Sequence, residues 1–369
     1  MDKVKERVPA YFSQKLKVLS FFTMIAVVFI HAYNYTDTFL QPMTRISEGM
    51  YAPAMVEYFF ANALTRFAVP VYFLISGYLF FAGIEEFKVL DYLKKIKSRV
   101  ISLLVPYTFW VLFWSFIGLL IINLFSATNF PILQEKFAGW ADSPFECMYK
   151  GPLAFQFWFI KDLFKLVLMS PLFYLLAKKL KEYSLLLFVI PWLLDISFPV
   201  VPCTDGMMFF AVGTYMAVCG KDRLHLERPV QNKAMLLFPL FWVLGCIGYT
   251  FLCATTSAAE VPDMFLTIAY KLCMALGVVS VFVLYDFMPK KEKKRGNSNI
   301  LASTFVIFAL HEPLQHFIFQ YIFLAERSDA LHLVMYFCLP VMLILFCVSV
   351  SSLLSRFAPK LRSFLTGGR

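Results

Sequence analysis

The sequence predicts an all-α membrane protein of about ten transmembrane helices, with both termini in the cytoplasm. Composition, the lengths of the apolar blocks and the placement of basic residues each lead there. Hydrophobic residues make up 60% of the 369 and charged residues 16%, with 43 phenylalanines. Soluble domains average roughly 45–50% apolar and about 25% charged. Long apolar blocks alternate with short charged connections, as expected of helices that must satisfy their own backbone hydrogen bonds in lipid.

Ten blocks fall near 16–35, 58–82, 100–125, 152–177, 184–197, 206–220, 234–253, 264–287, 300–324 and 331–355; a span needs about 17–25 residues. The first runs almost unbroken from Leu16 to Ile30 before meeting His31. It is too long for the apolar region of a cleaved signal, and no small-x-small site follows, so it is expected to remain. The fifth and sixth blocks are short, and interfacial or tilted placement stays open for them.

Basic residues orient the blocks. With the N-terminus inside, the inner connections hold 26 of the 34 lysines and arginines, and the outer ones hold four, Arg45, Lys136, Lys150 and Arg327. That satisfies the positive-inside rule and makes both ends cytoplasmic. The division is a cytoplasmic segment 1–15, a membrane domain 16–355 and a basic cytoplasmic tail 356–369. The net charge of +10 then faces anionic lipid headgroups, and no nucleic-acid partner is implied. The eight cysteines form no CxxC pair and no metal spacing, so no metal is expected. Cys147 and Cys203 fall in outer loops, where a disulfide is an open alternative to simple packing. There is no internal repeat and no Gly-rich phosphate loop. The polar stretch 289–299 reads as a disordered cytoplasmic loop.

An ionisable group within a span is a functional candidate by default, because it costs several kcal/mol unless it lines a cavity or finds a partner. The candidates are His31, Arg66, Lys161, Asp162, Lys165, Lys271, His311, Glu312 and His316. His31 lies about 22 Å from the inner start of its block, and Arg66, Lys161 and Lys271 roughly 10–15 Å below the outer surface, at the helical rise. His311 falls near the midplane. The expectation is one polar cavity open to the outside. Plainer readings stand beside it. Lys165 and Lys271 could snorkel, Asp162 could be the counter-ion of Lys161 or Arg66, and His316 could be solvated. His31 and His311 could be interhelical hydrogen-bond glue.

Several stretches carry a likeness to a known family. "LKVLSFFTMIAVVFIHAYN", "RFAVPVYFLISGYLFF", "KKIKSRVISLLVPYTFW", "FQFWFIKDLFKLVLMSPLFYLL" and "FALHEPLQHF" occur in that order between residues 16 and 355. In this order they resemble the acyltransferase-3 family of integral-membrane acyltransferases. The resemblance implies some ten helices and transfer of an acyl group, commonly acetyl from acetyl-CoA, to hydroxyls of sugars, polysaccharides or lipid-linked glycans. One departure stands out: the family places an arginine eleven positions before the histidine, and here that position is Ser20. Lys17, one turn earlier, offers a cation at a similar level.

Acyl transfer to an alcohol requires removal of the hydroxyl proton and stabilisation of a tetrahedral oxyanion. A neutral imidazole suits the first task, and the resemblance points to His31 as general base or acyl carrier. Arg66 and His311 complete the catalytic candidates, with Lys161 or Lys165 as other sources of positive charge. Asn34 and Tyr35 share a helix face with His31 and could orient its ring. Together with Trp158, Lys161, Asp162 and Glu312 they are the candidates for substrate contact. Ser76 and Gly77 sit lower on the second block, where Gly77 either admits the acyl carrier or packs helices. The charged end of acyl-CoA is expected among Lys94, Lys95, Lys97 and Arg99, with Lys17. The pantetheine arm, or an acyl group carried on His31, must then bridge to the outer half. A glycan transporter or flippase, and a non-catalytic scaffold, are the rival readings; acyl-CoA hydrolysis dependent on His31 separates the enzyme from both.

Overall fold

The computed structural model describes residues 8–33, 52–84, 86–125, 155–196, 201–219, 228–257, 259–288, 299–319 and 328–368. Among them every regular element is helical, and helix falls on each of the ten apolar blocks. Six helices are long and apolar enough to cross a membrane by themselves: Ala10–Ile30, Ala52–Phe81, Val89–Leu124, Lys233–Thr255, Asp263–Phe287 and Asp329–Phe357. Asn34, Tyr35, Cys147 and residues 289–298 lie outside the described residues, so the expectations placed on them do too.

Helix α1 (Ala10–Ile30) starts immediately after Pro9 and stops at Ile30 rather than 35. Proline fixes its own φ and disfavours helix in the residue before it, which sets the start. The block began at Leu16 by hydropathy because Lys15 looked like a boundary. Instead Lys15 is fully buried on Asp286 at 2.9 Å, and Tyr11 donates to the same carboxylate. Val230 N–H donates to its other oxygen at 3.0 Å. Removing one partner of such a pair typically costs about 3–5 kcal/mol, since a buried charge is left behind.

The second block is four pieces in one rod: α2 (Ala52–Tyr58), a π-helical turn (Phe59–Ala63), a 3₁₀ turn (Leu64–Phe67) and α3 (Ala68–Phe81). This rod is 72% buried in its most apolar 18-residue stretch, against 28% by the same measure in Lys233–Thr255 and Asp329–Phe357. It is therefore the central helix, and the other two turn apolar surface outward. Helix α4 (Val89–Arg99) buries nothing and leads through a π-helical turn into α5 (Val105–Phe125).

The fourth block is broken at Met169 into α6 (Trp158–Leu168) and α7 (Ser170–Leu180), with Pro171 in the first turn of the second piece. The short fifth and sixth blocks contain α8 (Leu186–Leu193) and α9 (Thr204–Val218). At the helical rise these are about 12 Å and 22 Å long, short of the roughly 30 Å apolar layer. There follow α10 (Leu237–Thr255), α11 (Asp263–Phe287), α12 (Thr304–Phe317), α13 (Asp329–Phe357) and α14 (Pro359–Thr366).

The closest packing joins α3 to α9. A Cβ on Gly77 would stand 2.3 Å from the Phe210 carbonyl oxygen, and one on Gly213 would stand 2.1 Å from that of Leu74. Small residues let the two backbones touch. Gly77 therefore packs helices and does not admit a ligand.

Candidate active site

One cavity of ≈ 1070 Å³ runs along α1, with Lys17, Ser20, Val27 and His31 on its wall. The rise from Lys17 to His31 is about 21 Å. Arg66, Arg99, Trp158 and Ala302 also line the cavity. The sequence predicted one polar cavity open to the outside. The structure extends it the length of α1, because Ser20, Met24 and Val27 all face the same gap.

His31 occupies the turn that ends α1, with its N–H bonded to the Val27 carbonyl at 3.3 Å. Its ring stands edge to face with that of His311, centroids 5.3 Å apart and planes at 66°. Phe155 packs on it at 6.4 Å. His311 is fully buried, with Nδ1 at 2.9 Å from the Ile307 carbonyl oxygen and 3.1 Å from that of Phe308. Carbonyls only accept, so Nδ1 carries the hydrogen. The other nitrogen, Nε2, is then a lone-pair site, and it has no hydrogen-bond partner among the described residues.

Pro313 organises the neighbourhood of His311. It lies inside α12, and its missing N–H leaves the carbonyl of the residue four back, Ala309, without a helical donor. Trp114 Nε1 fills that vacancy at 3.0 Å, and Gln156 Nε2 reaches the same carbonyl at 3.4 Å and that of Phe308 at 3.3 Å. The proline thus ties α5 and the start of the fourth block to the helix that carries His311.

Arg66 owes its position to the irregular turns before it. The π-helical and 3₁₀ geometry frees backbone acceptors that a continuous α-helix would use, and such breaks recur at functional sites. Arg66 Nε donates to the Ala61 carbonyl at 2.9 Å, and its Nη2 donates to the Asn62 side chain. Only 8% exposed, the guanidinium is fixed on the cavity wall. It shares that wall with His31.

The other predicted residues divide. Trp158 lines the cavity, while Lys161, Asp162 and Glu312 do not. Asp162 pairs with Lys165 at 3.1 Å and accepts from the Cys203 N–H at 3.0 Å. Asp162 is thus an ion-pair partner of Lys165, and its charge also acts on Lys161. Lys271 does not snorkel: it is buried between Asp205 at 2.8 Å and Asp195 at 3.0 Å. Cys203 caps α9, its thiol accepting from the Gly206 N–H. Of the cations expected to hold the donor, Lys17 and Arg99 reach the cavity. Lys95 turns back to the Phe80 carbonyl and ring, and Lys94 and Lys97 are exposed away from the wall. Ser20 faces the cavity, its hydroxyl bonded to the Leu16 carbonyl at 2.8 Å.

Asp205, Gln156 and Tyr270 line the cavity without having been singled out in the sequence. The first two sit at the edges of apolar blocks, where hydropathy does not separate wall from loop. Among the described residues no group of three His, Cys, Asp or Glu is placed to hold a metal ion.

Comparison with known proteins adds two findings. A family model described as an acyltransferase domain matches residues 14–356. The succinoglycan biosynthesis protein ExoH of Rhizobium meliloti (strain 1021) is 23% identical over 373 residues, covering 97% of this chain and 92% of that protein. No solved structure matches.

Proposed function

The chain belongs to the acyltransferase-3 family of multi-pass membrane proteins, and we propose that it moves acetyl from acetyl-CoA to a hydroxyl of an extracytoplasmic or lipid-linked carbohydrate. The carbohydrate acceptor follows the relative that serves succinoglycan biosynthesis. The setting is a bacterial cell membrane, with ten crossings and both termini cytoplasmic. In that orientation Lys17 and Arg99 stand at the cytoplasmic end of the cavity, and His31 and Arg66 toward the far side.

The observation that carries this reading is that one cavity holds both sets of groups. The phosphates of acyl-CoA are held by Lys17 and Arg99, and the pantetheine arm lies along the apolar wall of Met24, Val27, Leu163 and Val167. The thioester then reaches His31 directly, and no acyl group need be carried on the imidazole. His31 takes the proton of the attacking hydroxyl as the new C–O bond forms. Arg66 stabilises the oxyanion in a cavity where few waters compete for it. Collapse breaks the C–S bond, and the proton passes from His31 to the departing sulfur. His311 buttresses the His31 ring from outside the cavity and touches neither substrate.

Radiolabelled acetyl-CoA supplied to the purified protein in lipid nanodiscs tests the reading. The expected result is release of CoA, with label moving to an added glycan. Absence of CoA release with and without acceptor would contradict it.

A further inference from the structure

Asp205 is the one carboxylate on the cavity wall among the described residues. It stands in the first turn of α9 and is a quarter exposed. Its Oδ1 accepts from Lys271 Nζ at 2.8 Å and from Trp192 Nε1 at 2.8 Å. Its Oδ2 has no hydrogen-bond partner among the described residues. Lys271 has a second carboxylate, Asp195, at 3.0 Å, so Oδ2 is not needed to satisfy the lysine. Asp195 in turn is fixed by Thr204, whose hydroxyl donates to it at 3.2 Å. Asp195 and Asp205 thus flank a buried cation, and Oδ2 of Asp205 accepts no hydrogen bond from a described residue.

An ionised carboxylate only accepts hydrogen bonds. In a cavity whose other charged wall groups are Lys17, Arg66 and Arg99, Asp205 favours hydroxyl donors and repels phosphates. Tyr270 and Trp158 present aromatic rings on the same wall. A carboxylate oxygen in a cavity that also has aromatic side chains on its wall fits a neutral sugar ring, which pairs hydroxyls with an apolar face. A few polar groups set among apolar ones are what fix orientation in a ligand cavity.

We infer that Asp205 binds the acceptor: its Oδ2 takes a hydrogen bond from a hydroxyl of a neutral sugar, and Lys271 and Trp192 hold the carboxylate in place. The identity of the ligand as acceptor rests on the acyltransferase reading. The residue also divides the cavity by charge, repelling the donor's phosphates while Lys17 and Arg99 attract them.

The test is binding of cellotetraose, a neutral glucan fragment, to the full chain in nanodiscs free of sugar-headed detergent. Asp205→Asn keeps an oxygen for Lys271 and Trp192 and turns the unpartnered oxygen into an amide donor. Losing a hydrogen bond to a charged group should weaken cellotetraose binding by roughly 10- to 100-fold. Asp195→Asn removes the other carboxylate beside Lys271 but lies off the cavity wall, and should leave the affinity within about twofold. Equal weakening by both variants, or by neither at wild-type membrane abundance, overturns the assignment. No binding by the wild type overturns it as well. Acetyl-CoA hydrolysis by the same preparation, and its loss in His31→Ala, judges the acyltransferase reading independently of either result.

Discussion

The His31 and His311 rings meet edge to face at 5.3 Å, and the helix carbonyls of Ile307 and Phe308 fix the hydrogen of His311 on Nδ1. The pair is therefore one imidazole on the cavity wall backed by another whose orientation α12 dictates. His311→Ala is expected to lower kcat about 10- to 100-fold, because a base must be held in hydrogen-bond reach of the proton it removes, while KM for acetyl-CoA stays near wild type. His311→Phe, which restores ring bulk without nitrogen, should recover part of that loss. A large rise in KM with unchanged kcat would mean that His311 shapes binding and does not position His31.

The donor cations separate by geometry. Arg99 and Lys17 face the cavity and Lys94 and Lys97 do not, so Arg99→Gln and Lys17→Gln should each raise KM for acetyl-CoA several-fold, and added salt should raise it in the wild type. Lys94→Gln with Lys97→Gln should change it by less than about twofold, since exposed charges contribute little. The opposite ranking would move the donor phosphates onto the outer face of α4.

Ser20 stands where the resemblance to the acyltransferase-3 family implies an arginine, and it shares the cavity wall with Lys17. If Lys17 supplies the missing charge, Lys17→Ala impairs transfer and adding Ser20→Arg restores part of it. The two positions are three apart on one helix face, and the forked arginine can engage the same anion from one turn higher. Membrane abundance is measured alongside, because Tyr72 donates to the Ser20 carbonyl and a larger side chain there must displace it. A fully active Lys17→Ala would show that this chain works without a cation at that level.

Part of the candidate site was legible because charge is conspicuous in apolar sequence. His31, Arg66 and His311 stood out as ionisable groups within long hydrophobic blocks, and the structure gathers them. Asp205 and Gln156 did not, because each sits at the margin of a block where a polar residue is unremarkable. The ion pair of Asp162 with Lys165, one turn away on the same helix, was not named from the sequence. The irregular turn at 59–67 left no hydropathy signal at all, since π-helical, 3₁₀ and α-helical apolar residues read alike. The break at Met169 had only Pro171 to announce it, and proline is tolerated in the first turn of a helix.

The most direct test of the account is the rate of acetyl transfer by His31→Ala in nanodiscs, at wild-type abundance and with acetyl-CoA saturating. Loss of a positioned general base should reduce kcat by on the order of 100- to 10,000-fold. Turnover near that of the wild type would make His31 a packing residue and contradict the mechanism.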